Sequence, residues 1–172
     1  MVEDVTVERA TMEDLDRITS LWLELVAGQR SFGSHLRPDE NEAPGRDVLG
    51  QYIAADGLAV ARTEGPLEGP ESGSIPAGTI VGFVMWHLDR GLYEEDVERG
   101  TIENVYVVPP VRDRGIGSAL MARAEDALRG DGAEVVSVSV MAENEDARSF
   151  YRGRGYEAHR VTFERTFDDP SP

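Results

Sequence analysis

The sequence Val105-Tyr-Val-Val-Pro-Pro-Val-Arg-Asp-Arg-Gly-Ile-Gly-Ser-Ala-Leu120 predicts a strand, a glycine turn and a helix, in that order. Two prolines end the β-rich run, and apolar residues then recur at helical spacing up to Leu128. A helix that starts at a glycine turn directs several backbone N–H groups, and the positive end of its dipole, at one point. The stretch therefore predicts a site for a phosphate or pyrophosphate group.

Three phosphate-binding loops compete for this stretch, and the residues separate them. A P-loop requires Gly-Lys-Ser/Thr, whereas this chain contains no lysine. A dinucleotide-binding G-x-G-x-x-G motif starting at Gly115 would have Leu120 in place of its third glycine, which argues strongly against it. The pattern that remains is Arg112-x-x-Gly115-x-Gly117, with glycines for close approach and arginines for charge. An ordinary β–α turn explains the two glycines equally well, so the surrounding sequence has to decide.

The composition indicates a single domain over residues 1–172, with residues 168–172 as a frayed tail. Cysteine is absent, which excludes disulfides, thiolate zinc sites and cysteine nucleophiles. No apolar run is long enough to span a membrane, and the acidic start Met1-Val-Glu-Asp-Val5 does not resemble a signal sequence. We therefore expect a cytoplasmic protein without a membrane partner.

The charge is strongly one-sided. Aspartate and glutamate number 33 against 17 basic residues, all of them arginine, and the formal net charge is −16. A broadly acidic surface repels phosphate backbones, so nucleic acid is not an expected partner. An acidic chain without lysine indicates a salt-in halophile, which predicts folding and activity in molar KCl; an acidic protein from a GC-rich mesophile is the alternative.

Strand and helix signals alternate along the whole chain. Thr11 is the expected N-cap of the first helix, and Pro38 and Pro44 indicate a loop over residues 29–45. Residues 63–78, rich in Gly, Pro and Ser, predict a mobile hairpin connection. The predicted strands cover 5–9, 58–62, 79–88, 101–108, a buried stretch 134–141 and an alternating stretch 156–167, and the predicted helices cover 11–28, 46–55, 117–129 and 146–152. This order predicts an α/β (α+β) domain with helices on both faces of one sheet.

A second motif further along the chain makes the prediction specific. It is Asn144-Glu-Asp-Ala147-Arg-Ser-Phe150-Tyr151-Arg-Gly-Arg-Gly155-Tyr156. Together with the arginine–glycine loop and the opening Glu8–Asp16 segment, it resembles the GNAT superfamily of N-acetyltransferases, and the central motif is similar to ribosomal-protein N-terminal acetyltransferases. The resemblance covers about residues 5–167 and is least informative over 29–56 and 65–78. It implies the GNAT (acyl-CoA N-acyltransferase) fold, a mixed twisted sheet of about six or seven strands, and acetyl-CoA as acyl donor.

The resemblance also implies how acetyl-CoA would bind. The family parts two neighbouring parallel strands, here 101–108 and 134–141, so that the pantetheine arm lies between them. Backbone groups of the first strand would bind the pantetheine and polarise the thioester carbonyl, and the loop N–H groups would hold the pyrophosphate. The expected binding residues are Val105, Tyr106, Val107, Arg112, Asp113, Arg114, Gly115, Ile116, Gly117, Ser118 and Asn144. For Asn144 the alternative role is a helix cap.

Two residues are expected to carry the catalysis. Tyr151 matches the family's tyrosine beside the CoA sulfur, and a phenol can donate a proton to a departing thiolate at neutral pH; a core aromatic beside Phe150 is the alternative. Glu103 is the best carboxylate to deprotonate the amine, and in a regular strand it shares a face with Val105 and Val107. A bulge, which the family often has in this strand, would change that parity. A solvated or ion-paired Glu103, with water carrying the proton, remains open.

The sequence defines the acetyl acceptor and the partners less closely than the acetyl-CoA site. His35, His87 and His159 are widely separated and have no metal-ligand spacing, so we expect no metal and assign them structural or surface roles. Residues 30–35 lie where the family builds its acceptor pocket, and the acidic Glu94, Glu95, Asp96 and Glu98 form either an entrance for cations or a solvated face. The expected reaction is direct acetyl transfer to a primary amine, either a protein N-terminus or a small molecule. A non-catalytic acyl-CoA sensor or assembly protein is the alternative function, and a homodimer remains open.

Overall fold

The computed structural model describes residues 4–69, 73–91 and 95–167. These residues contain seven strands: β1 (Val5–Arg9), β2 (Leu58–Thr63), β3 (Leu67–Gly69), β4 (Gly73–Ile75), β5 (Ile80–Leu88), β6 (Arg99–Val107) and β7 (Val135–Val138). The α-helices are α1 (Leu15–Gln29), α2 (Glu42–Ala54), α3 (Ile116–Gly130) and α4 (Glu145–Gly153). The order of elements agrees with the mixed α/β prediction.

Five of these strands make the main sheet, in the order β1-β2-β5-β6-β7. Neighbouring strands are antiparallel except β6 and β7, which run parallel because α3 carries the chain back across the sheet. The parallel pairing is short, from Arg99 opposite Val135 to Ile102 opposite Val138. Seven of the nine residues of the central strand β5 are buried, and its apolar run forms the middle of the core.

Helices cover both faces of the sheet, as predicted. On one face, α3 lies so close that a Cβ added at Gly100 would meet the Leu128 side chain at 2.6 Å. On the other face, the Tyr106 hydroxyl donates a hydrogen bond of 3.0 Å to Glu24 of α1. The sheet therefore has one face packed against α3 and one against α1, and side chains of β6 lie on both faces.

The first helix begins as its sequence predicts. Thr11 and Asp14 form a capping box ahead of α1, with the Thr11 N–H donating to Asp14 at 2.9 Å. Arg62 on β2 donates to the same carboxylate at 2.7 Å. Burial alone would raise the pKa of Asp14, but the hydrogen bonds from Thr11 and Arg62 outweigh it and hold that pKa below its usual value. The cap thus joins the start of α1 to the sheet.

Two segments predicted as loops contain regular structure. Helix α2 begins at Glu42 rather than near Arg46, because Pro44 lies in its first turn, where no backbone N–H is required. The stretch predicted as a mobile connection contains the hairpin β3–β4, whose Leu67 is buried in the core. The expectation that residues 63–78 contain no regular element was wrong, since a short hairpin needs few apolar residues to anchor it.

Two predicted strands differ in the structure. Strand β7 covers four residues instead of 134–141, and it is half-buried at the sheet edge instead of fully buried. Residues 156–167 form no strand at all, although their sequence alternates. They are exposed from Glu157 onward, and no strand within the described residues pairs with them. The main sheet accordingly has five strands, and the count of seven includes the separate hairpin.

Candidate active site

The loop between β6 and α3 leaves a cluster of backbone donors exposed. After a single turn at Pro109–Val111, Asp113 and Gly115 adopt left-handed conformations, with φ of 61° and 82°. The first hydrogen bond of the helix runs from the Ala119 N–H to the Gly115 carbonyl at 3.0 Å. The N–H groups of residues 113–118 donate to no group in the described part of the chain. Six such donors at a helix N-terminus are suited to bind an anionic group.

The two arginines of the loop fix its shape. Arg112 donates from Nε to the Val107 carbonyl at 2.9 Å and lies over the Tyr106 ring, 5.6 Å from its centroid. Arg114 donates to the Glu68 carbonyl and so attaches the loop to β3. Both guanidinium groups therefore hold the turn in place while they add positive charge beside the six backbone donors.

Strands β6 and β7 part beside this loop. Their pairing ends at Ile102 and Val138, whereas β6 continues to Val107 along its antiparallel partner β5. The β7-facing edge of residues 103–107 is consequently open. This is the gap between two parallel strands that the sequence resemblance implies for a pantetheine arm.

Helix α4 meets the loop at its open side. A Cβ added at Gly117 would lie 3.6 Å from the Phe150 ring and 3.9 Å from Val107, so strand end, loop and α4 converge there. Asn144 caps α4, with Oδ1 accepting from the Ala147 N–H at 3.1 Å. The capping alternative for Asn144 is therefore observed. Its amide nitrogen donates to no described residue and keeps two N–H groups for a ligand.

Tyr151 lies in an aromatic cluster on α4. Its ring makes edge contacts with Phe150 at 5.4 Å and with Tyr156 at 5.9 Å between centroids. Burial raises the pKa of Tyr151 to about 12. The hydroxyl has no hydrogen-bond partner in the described chain, in contrast to that of Tyr156, which donates to Glu125 at 2.9 Å. Tyr151 thus presents a protonated phenol whose O–H group donates no hydrogen bond to the described residues.

Glu103 lies on a β-bulge. Met85 pairs with Asn104 and Trp86 with Ile102, so Glu103 is the extra residue between them. Its carboxylate is 3.6 Å from Nδ1 of His87 and lies on the α2 side of the sheet. Val107, by contrast, faces α3. Glu103 therefore does not share a face with Val105 and Val107, as it would in a regular strand, because the bulge that the family resemblance allows is present and reverses the alternation.

A polar cluster surrounds His87, for which the sequence predicted a structural or surface role. The Tyr52 hydroxyl lies 2.9 Å from Nδ1, and Asp89 lies 3.0 Å from Nε2. Asp89 also accepts from the Thr101 hydroxyl at 3.1 Å. Burial and the charges of Glu103 and Asp89 raise the pKa of Tyr52. The sequence signal for this cluster was the i, i+2 spacing of His87 and Asp89 at the end of β5. Tyr52 is distant in sequence, so no local pattern could have placed it beside His87.

An apolar pocket of about 250 Å³ opens on the same side of the sheet, between α1, α2 and the β5–β6 pair. Its lining residues are Trp22, Leu36, Asn41, Pro44, Gly45, Val48, Leu49, Met85 and Asn104. Residues 30–35, where the acceptor pocket was expected, form a turn next to it rather than its wall. Asn104 follows Glu103 directly, so the pocket adjoins the polar cluster.

A family model described as the acetyltransferase (GNAT) family matches residues 40–156. The chain belongs to the GNAT family. An aminoalkylphosphonate N-acetyltransferase from Salmonella typhimurium is 35% identical over 86 residues, which is 50% of this chain and 55% of that protein. An uncharacterised N-acetyltransferase from Methanocaldococcus jannaschii is 34% identical over 49% of this chain and 37% of its own length. The matches thus span about half the length, or less, of these curated relatives.

Solved GNAT structures share the whole fold. A GCN5-related N-acetyltransferase from Ralstonia eutropha superposes with a TM-score of 0.69 at 20% identity, covering 94% of this chain and 98% of that one. An aminoglycoside N-acetyltransferase in complex with CoA gives a TM-score of 0.65 at 19% identity, covering 94% of both chains. At these identities the likeness establishes the GNAT fold alone.

The remaining predictions concern the acidic residues before β6, metal ligands and membrane-spanning segments. Glu95 pairs with Arg99 at 3.2 Å, and Glu94 lies outside the described residues. Within residues 4–69, 73–91 and 95–167, no three His, Asp or Glu side chains are grouped as metal ligands. No helix in those ranges has the length and apolar character needed to cross a membrane.

Proposed function

We propose that this GNAT protein transfers an acetyl group from acetyl-CoA to a small primary amine by direct attack in a ternary complex. The observation that carries the proposal is the set of six unpaired N–H groups of residues 113–118 beside the open edge of β6. A diphosphate fits such a set of donors, and an extended amide-containing arm fits an open strand edge. CoA contains both groups in one molecule.

On the donor side, Val105–Val107 would pair with the pantetheine amides, and a β6 N–H group would polarise the thioester carbonyl. Arg112 and Arg114 would stabilise the pyrophosphate as neighbouring fixed charges. The free amide nitrogen of Asn144 would reach the pantetheine arm from the start of α4. None of these roles requires a change in the hydrogen bonds that hold the loop.

On the acceptor side, Glu103 would take the proton that the ammonium form of the substrate must lose. The amine nitrogen then attacks the thioester carbonyl carbon, and the C–S bond breaks as the departing sulfur takes a proton from the Tyr151 hydroxyl. The second proton that the nitrogen loses on forming the amide restores the phenol through water. His87 and the cluster around it hold Glu103 beside the mouth of the apolar pocket. With no cysteine in the chain, a thiol-linked acyl-enzyme is not part of the reaction.

The acceptor pocket supports a small amine with an apolar substituent. A volume of about 250 Å³ is below the usual range of ~300–1,000 Å³ for ligand pockets, and the walls are mostly apolar. The Salmonella typhimurium relative is named for an aminoalkylphosphonate, which is likewise a small amine. A protein N-terminus remains the competing acceptor, because only its first residue would have to enter.

The composition supports a setting of high salt, which we propose to be the cytoplasm. An excess of 16 negative charges is screened in concentrated salt, which reduces self-repulsion within the folded chain. We therefore propose that the acetyl transfer takes place in molar KCl.

The test is release of free CoA thiol from acetyl-CoA in molar KCl, with four acceptor classes: small alkyl and arylalkyl amines, aminoalkylphosphonates, aminoglycosides and peptides with free N-termini. Turnover should be highest with the small apolar amines. Faster turnover with peptides would replace the small-molecule acceptor by a protein. Calorimetry with acetyl-CoA runs in parallel: tight binding without turnover on any class would favour the acyl-CoA sensor, and absence of binding by folded protein would overturn the proposal.

A further inference from the structure

The contacts of His87 leave one of its two ring nitrogens as a proton acceptor. Asp89 Oδ1 lies 3.0 Å from Nε2, and because a carboxylate has only acceptor oxygens, it favours the proton of the neutral ring on that nitrogen. The other nitrogen, Nδ1, then accepts a hydrogen bond of 2.9 Å from the Tyr52 hydroxyl. The Glu103 carboxylate lies 3.6 Å from the same Nδ1. A basic nitrogen therefore lies beside the carboxylate that would take the proton of the amine.

Hydrogen bonds from two further strands hold the Asp89 carboxylate beside the ring. The Thr101 hydroxyl donates to Asp89 at 3.1 Å, so the Ser137 hydroxyl, which lies 3.0 Å from that of Thr101, donates to Thr101 in turn. Thr101 pairs with His87 across β5 and β6, and with Ser137 across β6 and β7. The negative charge is thus fixed next to Nε2, where it stabilises the ring in its positively charged form.

A neutral imidazole next to a glutamate carboxylate gives the proton of the amine a second place to go. The ordinary pKa of imidazole is about 6.5, whereas that of a glutamate carboxyl is about 4.3. A proton that arrives on the carboxylate is consequently more stable on the neighbouring ring. Its transfer to Nδ1 would return Glu103 to the charged form that the next substrate molecule requires.

The surroundings of the ring permit this transfer. In the described part of the chain the titratable groups that face the ring are Tyr52 on α2, Asp89 after β5 and Glu103 on β6. A hydroxyl can donate or accept, so Tyr52 can turn and accept from Nδ1–H once the ring is protonated. The side chain of His87 is 39% exposed, which lets the ring pass the proton on to water. The distance of 3.6 Å to Glu103 is longer than a hydrogen bond, but catalytic contacts often shorten when substrate binds.

We propose that His87 is a proton relay behind Glu103 in the acetyl-transfer reaction. This inference rests on the proposed function and adds the group that receives the proton next. An N–H bond of the ammonium group breaks and its proton moves to the Glu103 carboxylate. The O–H bond so formed then breaks as Nδ1 of His87 takes the proton, and the imidazolium ring releases it to water. Because His87 acts through Glu103, it is a positioning residue and does not touch the amine.

The first test is the pH dependence of kcat/KM for the amine, calculated on the free-amine concentration, in full-length proteins in molar KCl. His87→Gln keeps a side-chain amide that can donate to Asp89 but removes the basic nitrogen. The matched control, His159→Gln, makes the same replacement at an exposed residue of the segment after α4. The natural protein and the control should lose rate as pH falls from about 8 to 5, the range in which imidazole becomes charged.

His87→Gln should lower kcat/KM about tenfold at pH 8, leave acetyl-CoA affinity within twofold and remove the loss of rate between pH 8 and 5. If His87→Gln keeps the pH profile of the natural protein, the relay is wrong, whether the rate itself is natural or reduced. If the natural protein acetylates no amine, the proposed function fails and the relay fails with it. The two failures are therefore distinguishable.

The second test is independent of turnover. The chain has three histidines, so the ring nitrogen resonances of His87 can be assigned by comparing nuclear magnetic resonance spectra of the natural protein and His87→Gln. We expect the neutral ring of His87 to carry its proton on Nε2. A proton on Nδ1 would overturn the relay, because that nitrogen would then have no lone pair to accept the proton of Glu103.

Discussion

Replacing Tyr151 by phenylalanine distinguishes two roles for this residue, a catalytic proton donor and an aromatic side chain that only packs. The phenylalanine ring keeps the edge contacts to Phe150 and Tyr156 at 5.4 and 5.9 Å. The lost hydroxyl has no hydrogen-bond partner in the described chain, so the folded state loses no protein–protein hydrogen bond. We therefore expect the free energy of unfolding to change by less than ~0.5 kcal/mol, the usual limit for a substitution that breaks no contact.

The effect on the rate is expected to be much larger. General acid catalysis contributes typically ~10²–10⁴-fold, and water at the open strand edge can replace part of it. We therefore expect kcat to fall about 100-fold, which corresponds to about 2.7 kcal/mol of activation free energy. The pKa of Tyr151, raised by burial to about 12, keeps the phenol protonated throughout the assay range. The natural protein should accordingly show no loss of rate from this group below about pH 11.

The assay is CoA thiol release at saturating acetyl-CoA, with calorimetric measurement of acetyl-CoA affinity. The matched control is Tyr156→Phe, because it removes a neighbouring hydroxyl that donates to Glu125 at 2.9 Å. That control should lose about 1 kcal/mol of stability while kcat stays within twofold. If Tyr151→Phe keeps kcat within twofold of the natural protein, Tyr151 is a packed aromatic and the acid role is refuted.

Four further substitutions or conditions test other parts of the site and fold. Gly117→Ala should leave the circular dichroism spectrum unchanged, because its methyl would lie 3.6 Å from Phe150, yet lower acetyl-CoA affinity at least tenfold by filling the space above the helix N-terminus; unchanged affinity would place the pyrophosphate elsewhere. Glu103→Gln should lower kcat/KM for the amine more than tenfold without changing acetyl-CoA affinity, and a parallel loss of both would indicate a structural role. Because the pKa of Asp14 is held low in the folded state, its contribution to stability is present above the unfolded value of 3.8 and is lost as pH falls through the folded value; urea unfolding of Asp14→Asn should therefore show a weaker loss of stability at acidic pH than the natural chain, and equal slopes would count against the cap. Raising KCl from 0.1 to 2 M should raise the melting temperature, since screening weakens repulsion in a chain of net charge −16, and a flat response would remove the halophilic interpretation.

The donor side was predictable because its determinants are local. A strand, a turn with a left-handed glycine at Gly115 and an amphipathic helix follow one another within the stretch Val105–Leu120, and each is encoded by its own residues. The Asn144 cap is equally local, since its bond reaches only three residues along the chain. Such features need no knowledge of distant contacts, and both appear in the structure.

The acceptor side could not be predicted in the same way. The position of Glu103 depends on a bulge, and a one-residue insertion in the pairing with β5 leaves no sign in the alternation of β6 itself. His87 meets Tyr52 only because α2 packs over that end of the sheet. Pocket and polar cluster both arise where α1, α2 and the β5–β6 pair meet, which is a property of tertiary packing.

The prediction of a last strand over residues 156–167 was wrong for a different reason. Alternation over residues 156–167 is typical of a strand, but the structure gives the segment no strand partner within the described residues and leaves Phe163 and Phe167 exposed. The alternation depends only on the segment's own side chains, whereas pairing depends on a neighbouring strand that those side chains do not specify. The pattern therefore predicts the kind of element and not its pairing.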